Sequence, residues 1–169
     1  LCVISVAPNG DRVEERMEYE NGIQIARAIT WQEGDYTVTE TERFEGDRLT
    51  YRSKTDSTGY SAETYFYPDG RVKSTEEHMP QGENIIYLYV SCEEDGSGYG
   101  VEKFRDGTIR ESSMNEHGRT IMQSVQYPDG SGERTEYSDQ GIMIFRRYTY
   151  ANGDWTEVTY YPSGRTKTE

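Results

Sequence analysis

The chain has 169 residues, 33% hydrophobic and 12% aromatic, and carries a formal net charge of −13 from 18 Lys+Arg against 31 Asp+Glu. A field of that sign repels phosphate backbones and anionic headgroups, so neither nucleic acid nor an anionic membrane is expected as a partner. Low hydrophobicity alone would suggest disorder, but 15 Tyr beside abundant Thr are strand residues, so the expected class is all-β with a thin core.

Along the chain the first regular signal is glycine. From Gly10 through Gly22, Gly34 and Gly46 to Gly153 and Gly164 a glycine recurs every 11 to 14 residues, an interval of one strand plus one turn that marks a repeat array. The chain opens at Leu1 without Met and without a basic segment leading into a long apolar run. A processed protein or a piece of a longer one is therefore expected. Ile23 and Ile25 begin an alternation of the strand type. Tyr36, Val38 and Glu40 then fall on one face of a strand, with Thr37, Thr39 and Thr41 on the other. Tyr60, Ala62 and Thr64 continue the pattern, as does Trp155 followed by Glu157. Many turns read aromatic-x-x-Gly, as in Tyr19-Glu-Asn-Gly22, Tyr67-Pro-Asp-Gly70, Tyr127-Pro-Asp-Gly130 and Tyr150-Ala-Asn-Gly153. Asn-Gly and Asp-Gly supply the positive φ angles of tight hairpin turns, so each site is expected to reverse the chain between strands of roughly 7 to 8 residues.

Phe104, Tyr127 and Tyr150 stand 23 residues apart, as do Asn115, Ser138 and Tyr161. The expected fold is an elongated antiparallel β-meander of about seven hairpin repeats, thirteen or more strands forming a twisted or coiled sheet on the order of 60 to 65 Å long. Residues 1–169 then make a single β-repeat array with an irregular junction near 90–103. The turn at Phe44-Glu-Gly46 is one residue tight, and Tyr67 to Phe104 is 37 residues instead of 23 or 46. Two runs are apolar on both faces: Ile85, Ile86, Tyr87, Leu88, Tyr89 and Val90, and Ile142, Met143, Ile144 and Phe145. Two-sided apolarity points to core or interface at these places. Cys2 and Cys92 make no disulfide scaffold. A bridge between them would close a loop of about 90 residues and restrict the unfolded chain by roughly 4 to 5 kcal/mol, and separate thiols are the alternative.

Tyr67-Pro-Asp-Gly-Arg71-Val-Lys, Tyr161-Pro-Ser-Gly-Arg165-Thr-Lys and His117-Gly-Arg119 resemble two groups of bacterial β-hairpin repeats. One is the YD repeat of Rhs-type surface proteins; the other is the MORN-like repeat, whose spacing is similar to the 23-residue unit. The resemblance implies an extracellular or cell-surface bacterial scaffold, a shell segment of a larger protein, or a protein-binding array, and brings no catalytic residues.

Catalytic signatures are sparse. His78 and His117 are the only histidines and neither lies in a nucleophile motif. Asp95-Gly-Ser-Gly98 and Asp129-Gly-Ser-Gly132 match neither a phosphate loop nor a calcium loop and are read as wide or bulged hairpin turns. No cofactor, metal or catalytic residue is expected. The reading is a non-enzymatic structural repeat protein whose partner is protein: a second copy or a larger parent chain. The alternatives are an acidic immunity-type binding module and a carbohydrate-binding array with Trp31 and Trp155 as platforms.

Overall fold

The computed structural model describes residues 2–6, 12–161, 163 and 165–167, with residues 2–6 and 12 described through their backbone alone. Among the described residues there are fourteen strands and no helix. They are β1 (Cys2–Val6), β2 (Arg12–Glu20), β3 (Ile23–Glu33), β4 (Tyr36–Glu45), β5 (Arg48–Asp56), β6 (Ser61–Phe66), β7 (Val72–His78), β8 (Ile85–Cys92), β9 (Gly98–Phe104), β10 (Ile109–Met114), β11 (Thr120–Gln126), β12 (Gly132–Tyr137), β13 (Met143–Thr149) and β14 (Trp155–Thr159). The chain forms two compact units, Leu1–Glu83 and Asn84–Glu169. Within the first, β1 to β7 pair antiparallel in chain order. Within the second, β8 to β14 do the same. The protein is thus the all-β antiparallel meander that the glycine interval predicts.

The turns are of two kinds, and only one is the tight hairpin expected from Asn-Gly and Asp-Gly. Asn21 and Gly22 both take positive φ (50° and 80°) in a two-residue turn between the paired Glu20 and Ile23. Gly34 and Gly46 lead two-residue turns with φ of 63°. From Asp56 onward each aromatic-x-x-Gly site is a wider loop: Gly70 N donates to Tyr67 O at 2.9 Å while Tyr67 N donates to Arg71 O at 2.8 Å. The same pair of bonds recurs around Gly59, Gly96, Gly107, Gly118, Gly130, Gly141 and Gly153. This is a type I turn closed by a left-handed glycine, which leaves the preceding Asp or Asn at ordinary φ. Gly10 and Gly164 lie outside the described residues.

The 23-residue unit is visible in the ladders. Hairpins β2–β3, β4–β5, β6–β7, β10–β11 and β12–β13 each shift register by one residue near the turn. The shifts leave Ile25, Thr50, Lys73, Ile121 and Ile144 unopposed. Such bulges raise the local right-handed twist. The 37-residue gap from Tyr67 to Phe104 also has a simple origin. Tyr67 follows β6 and Phe104 closes β9, so the gap spans three strand-and-turn steps, an odd number that no whole count of hairpins matches. The unit boundary falls at residues 83 and 84, and residues 90–103 belong to β8, its turn and β9.

The core is thinner than the composition suggests. Among the described residues Val38 is the only buried apolar side chain, at 3% exposure, and no large side chain is fully buried. Each unit is a single sheet layer, so a strand residue is shielded by its cross-strand neighbours and not by an opposing layer. Both two-sided apolar runs stay half-buried, with Ile86 and Ile142 exposed. Neither run is in a core.

Candidate functional site

In a single-layer sheet the candidate sites are faces and rims. Register places Glu15 of β2, Arg27 of β3, Glu42 of β4 and Arg52 of β5 on one face of the first unit. Arg27 Nε donates to Glu15 Oε1 at 2.6 Å and Arg27 Nη1 lies 3.5 Å from Glu42 Oε2. Arg52 Nη2 donates to Glu42 Oε1 at 2.8 Å and its Nε lies 3.8 Å from Glu40. Glu42 is buried to 7% exposure between two guanidinium groups. The Arg27 pKa is raised, chiefly by its hydrogen bond to Glu15. Lys54 stands 6.0 Å from the Trp31 ring on the same face. The opposite face is mixed: the hydroxyls of Thr30 and Thr39 lie 3.1 Å apart, and the rings of Tyr51 and Tyr65 meet at 5.1 Å with Arg43 over Tyr51.

Charges on the strands of the second unit cancel: Glu102, Glu111, Glu133, Glu136 and Glu157 against Lys103, Arg110, Arg134, Arg146 and Arg147. One face carries Tyr87, Tyr89, Phe145 and Trp155, with Lys103 4.8 Å over Tyr87 and Arg147 4.8 Å over Trp155. The other carries Leu88, Val90, Val125 and Val158, with the pairs Arg110–Glu102 at 3.0 Å and Arg146–Glu133 at 2.9 Å. The excess negative charge of this unit sits in the turns, at Glu93, Glu94, Asp95, Asp106, Glu116, Asp129, Asp139 and Asp154.

Most of those turns, and the turn at Asp69, share one device. The carboxylate or amide oxygen two places after the turn's first residue accepts the backbone N–H two residues on: Asp69 from Arg71 at 3.0 Å, Asp95 from Ser97 at 2.8 Å, Asp106 from Thr108 at 2.8 Å and Asp129 from Ser131 at 2.9 Å. Asn115, at the head of its turn, and Asn152 accept in the same way. This Asx geometry explains why Asp or Asn precedes Gly where positive φ does not. It holds several carboxyls below the ordinary aspartate range, through the Ser97 hydroxyl at Asp95, the Thr108 N–H at Asp106 and the Ser131 hydroxyl at Asp129.

The sign of the pH effect follows. With folded pKa values below the unfolded value of about 3.9, the unfolded chain binds more protons in acid. The turns therefore contribute stability above that value and lose it as pH falls through the folded values. The melting temperature is expected to decline below about pH 4. Asp95→Asn combined with Asp129→Asn keeps the acceptor and removes the titration, so its decline should be shallower than that of the parent in a series of melts. Parallel acid profiles for the two proteins would contradict this.

The sequence-predicted interface residues separate by face and by strand. Tyr87 and Tyr89 share a face with Phe145, Leu88 and Val90 lie on the other, and Ile144 sits unopposed at a bulge; β8 and β13 have four strands between them. Trp31 and Trp155 lie in different units. The Cys2 side chain is outside the described residues, and so is any bridge to Cys92. His78 and His117 are exposed beside Glu76 and Glu116. Among the described residues no three His, Cys, Asp or Glu side chains converge as metal ligands would. An open, shallow depression of about 520 Å³ lies along Met122, Arg134 and Tyr137. Sequence reasoning missed the Glu15–Arg27–Glu42–Arg52 ladder, whose signal was alternate charged positions on successive strands. It also missed the Asx turns, whose signal was Asp two residues before Ser, Thr or Arg.

No protein family matches the chain, and no curated protein does.

Proposed function

We propose that this chain is a non-enzymatic structural repeat protein that works through its sheet faces, as a scaffold or shell segment built by association of protein with protein. The observation that supports this most directly is the single-layer sheet of each unit with one buried apolar side chain, Val38, among the described residues. A sheet that lacks an opposing layer leaves Tyr19, Tyr36, Tyr65, Tyr99 and Trp155 between 36% and 56% exposed. Exposed aromatic surface of this extent marks sites of protein contact. An extracellular or cell-surface place suits such a scaffold and agrees with the repeats it resembles.

The purified chain is expected to form concentration-dependent oligomers in light scattering, and replacing any single exposed aromatic should leave them intact because the contact is spread over a face. A chain that stays monomeric at millimolar concentration would argue against assembly. The acidic turns favour a second reading, a module that captures a basic protein. That version predicts salt-sensitive binding to a cationic partner, and binding unchanged between low and high salt would exclude it.

A further inference from the structure

We propose that the face of the second unit bearing Leu88, Val125 and Val158 packs against the same face of a second copy of this chain. This rests on the scaffold reading and names the surface and the partner. The face is apolar on β8, β11 and β14, through Leu88, Val90, Val125 and Val158, and Val158 is 39% exposed. Its middle is low. Gly98 and Gly100 of β9 and Ser112 of β10 follow one another across the ladder, so side chains of a facing sheet at the usual spacing of about 10 Å can descend there.

Charge separates this face from the opposite one. Here every strand-borne ion has a partner within the face, Arg110 with Glu102 and Arg146 with Glu133, so covering it strands no charge. On the other face Lys103 stacks on Tyr87 with no carboxylate partner among the described residues. Glu111 there accepts from the Ser124 hydroxyl and is bonded by the Tyr99 hydroxyl, not by a cation. Burying that face would desolvate both ions.

Two copies of net charge −13 repel, but the excess in this unit lies in the turns, at the ends of strands of 5 to 8 residues. The rims thus stand about 10 Å from the face centre, beyond the screening length of about 8 Å at physiological salt. Seven strands at about 4.8 Å by about 20 Å give roughly 600 Å² per copy, so an isologous pair would bury about 1,200 Å², the lower bound of stable interfaces.

The test is light scattering of the full chain over a concentration series, with Val125→Glu and Val158→Glu on this face and Val101→Glu on the other. Both face variants should weaken association about tenfold or more with an unchanged far-ultraviolet circular dichroism spectrum, while Val101→Glu stays within about twofold. Association that survives in Val158→Glu but fails in Val101→Glu overturns the choice of face and leaves the scaffold reading standing. A monomeric parent overturns both. Val158 is a surface position, so its variant decides the matter even where Val125→Glu does not fold.

Discussion

Gly96→Ala is expected to destabilise the second unit by roughly 3 kcal/mol, the largest effect of any glycine substitution in the turns. Two costs coincide there. Gly96 sits at φ of +91°, where an L side chain is strained, and a Cβ at that position would lie 2.7 Å from the backbone carbonyl oxygen of Glu116. That oxygen belongs to the next turn along the same ends of the strands, and a backbone atom cannot swing aside as a side-chain tip can. Gly130→Ala isolates the first cost, because its φ is +84° and nothing lies within 4 Å of its Cβ. It should lose only about 1 to 2 kcal/mol. Urea unfolding followed by Trp155 fluorescence in a Trp31→Phe background reads the second unit. Equal losses at Gly96 and Gly130 would mean that the stacked turns move apart freely and that the contact carries no energy.

Glu42→Ala is expected to cost the first unit about 2 kcal/mol. The carboxylate is buried and accepts both Nε and Nη2 of Arg52 while facing Arg27, so its removal leaves two guanidinium groups with a void between them. Breaking a fully buried pair costs about 3 to 5 kcal/mol; Arg27 and Arg52 are 37% and 43% exposed, which lowers the figure by solvent screening. Each arginine also keeps a second carboxylate, Glu15 or Glu40. Glu42→Gln should lose less, since the amide oxygen still accepts from Arg52. Unfolding in urea at low and at high salt checks both variants. A loss below about 0.5 kcal/mol in Glu42→Ala would show the ladder to be an ordinary surface ion-pair row.

The strand count, the antiparallel order and the hairpin unit were legible because they depend on local chemistry. A left-handed glycine must sit where the chain reverses, and Gly70, Gly107 and Gly130 do so within their own four-residue turns. Alternation over Tyr36 to Thr41 likewise reports a strand without reference to any neighbour. The turn type was misread because Asp-Gly serves two geometries. Positive φ at Asp is one, and an Asx bond to the N–H two residues on is the other; at Asp69 the second holds, while the wide turn expected at Asp129 is observed. The apolar runs were legible only as core or interface, for a related reason. Ile85 to Val90 would be core if a second layer existed, and the sequence carries no mark of how many layers a strand meets.

By itself, then, the sequence determined an all-β meander of hairpins with acid-rich turns, since spacing, φ preference and composition act within a dozen residues. Only the tertiary structure decided which charges meet, which faces are neutral and where the core is thin. Glu15, Arg27, Glu42 and Arg52 come from four strands, and their encounter depends on one-residue register shifts beside Ile25 and Thr50. A slip of one residue exchanges the faces of a strand, and register is set by cross-strand fit, which no local stretch of sequence contains.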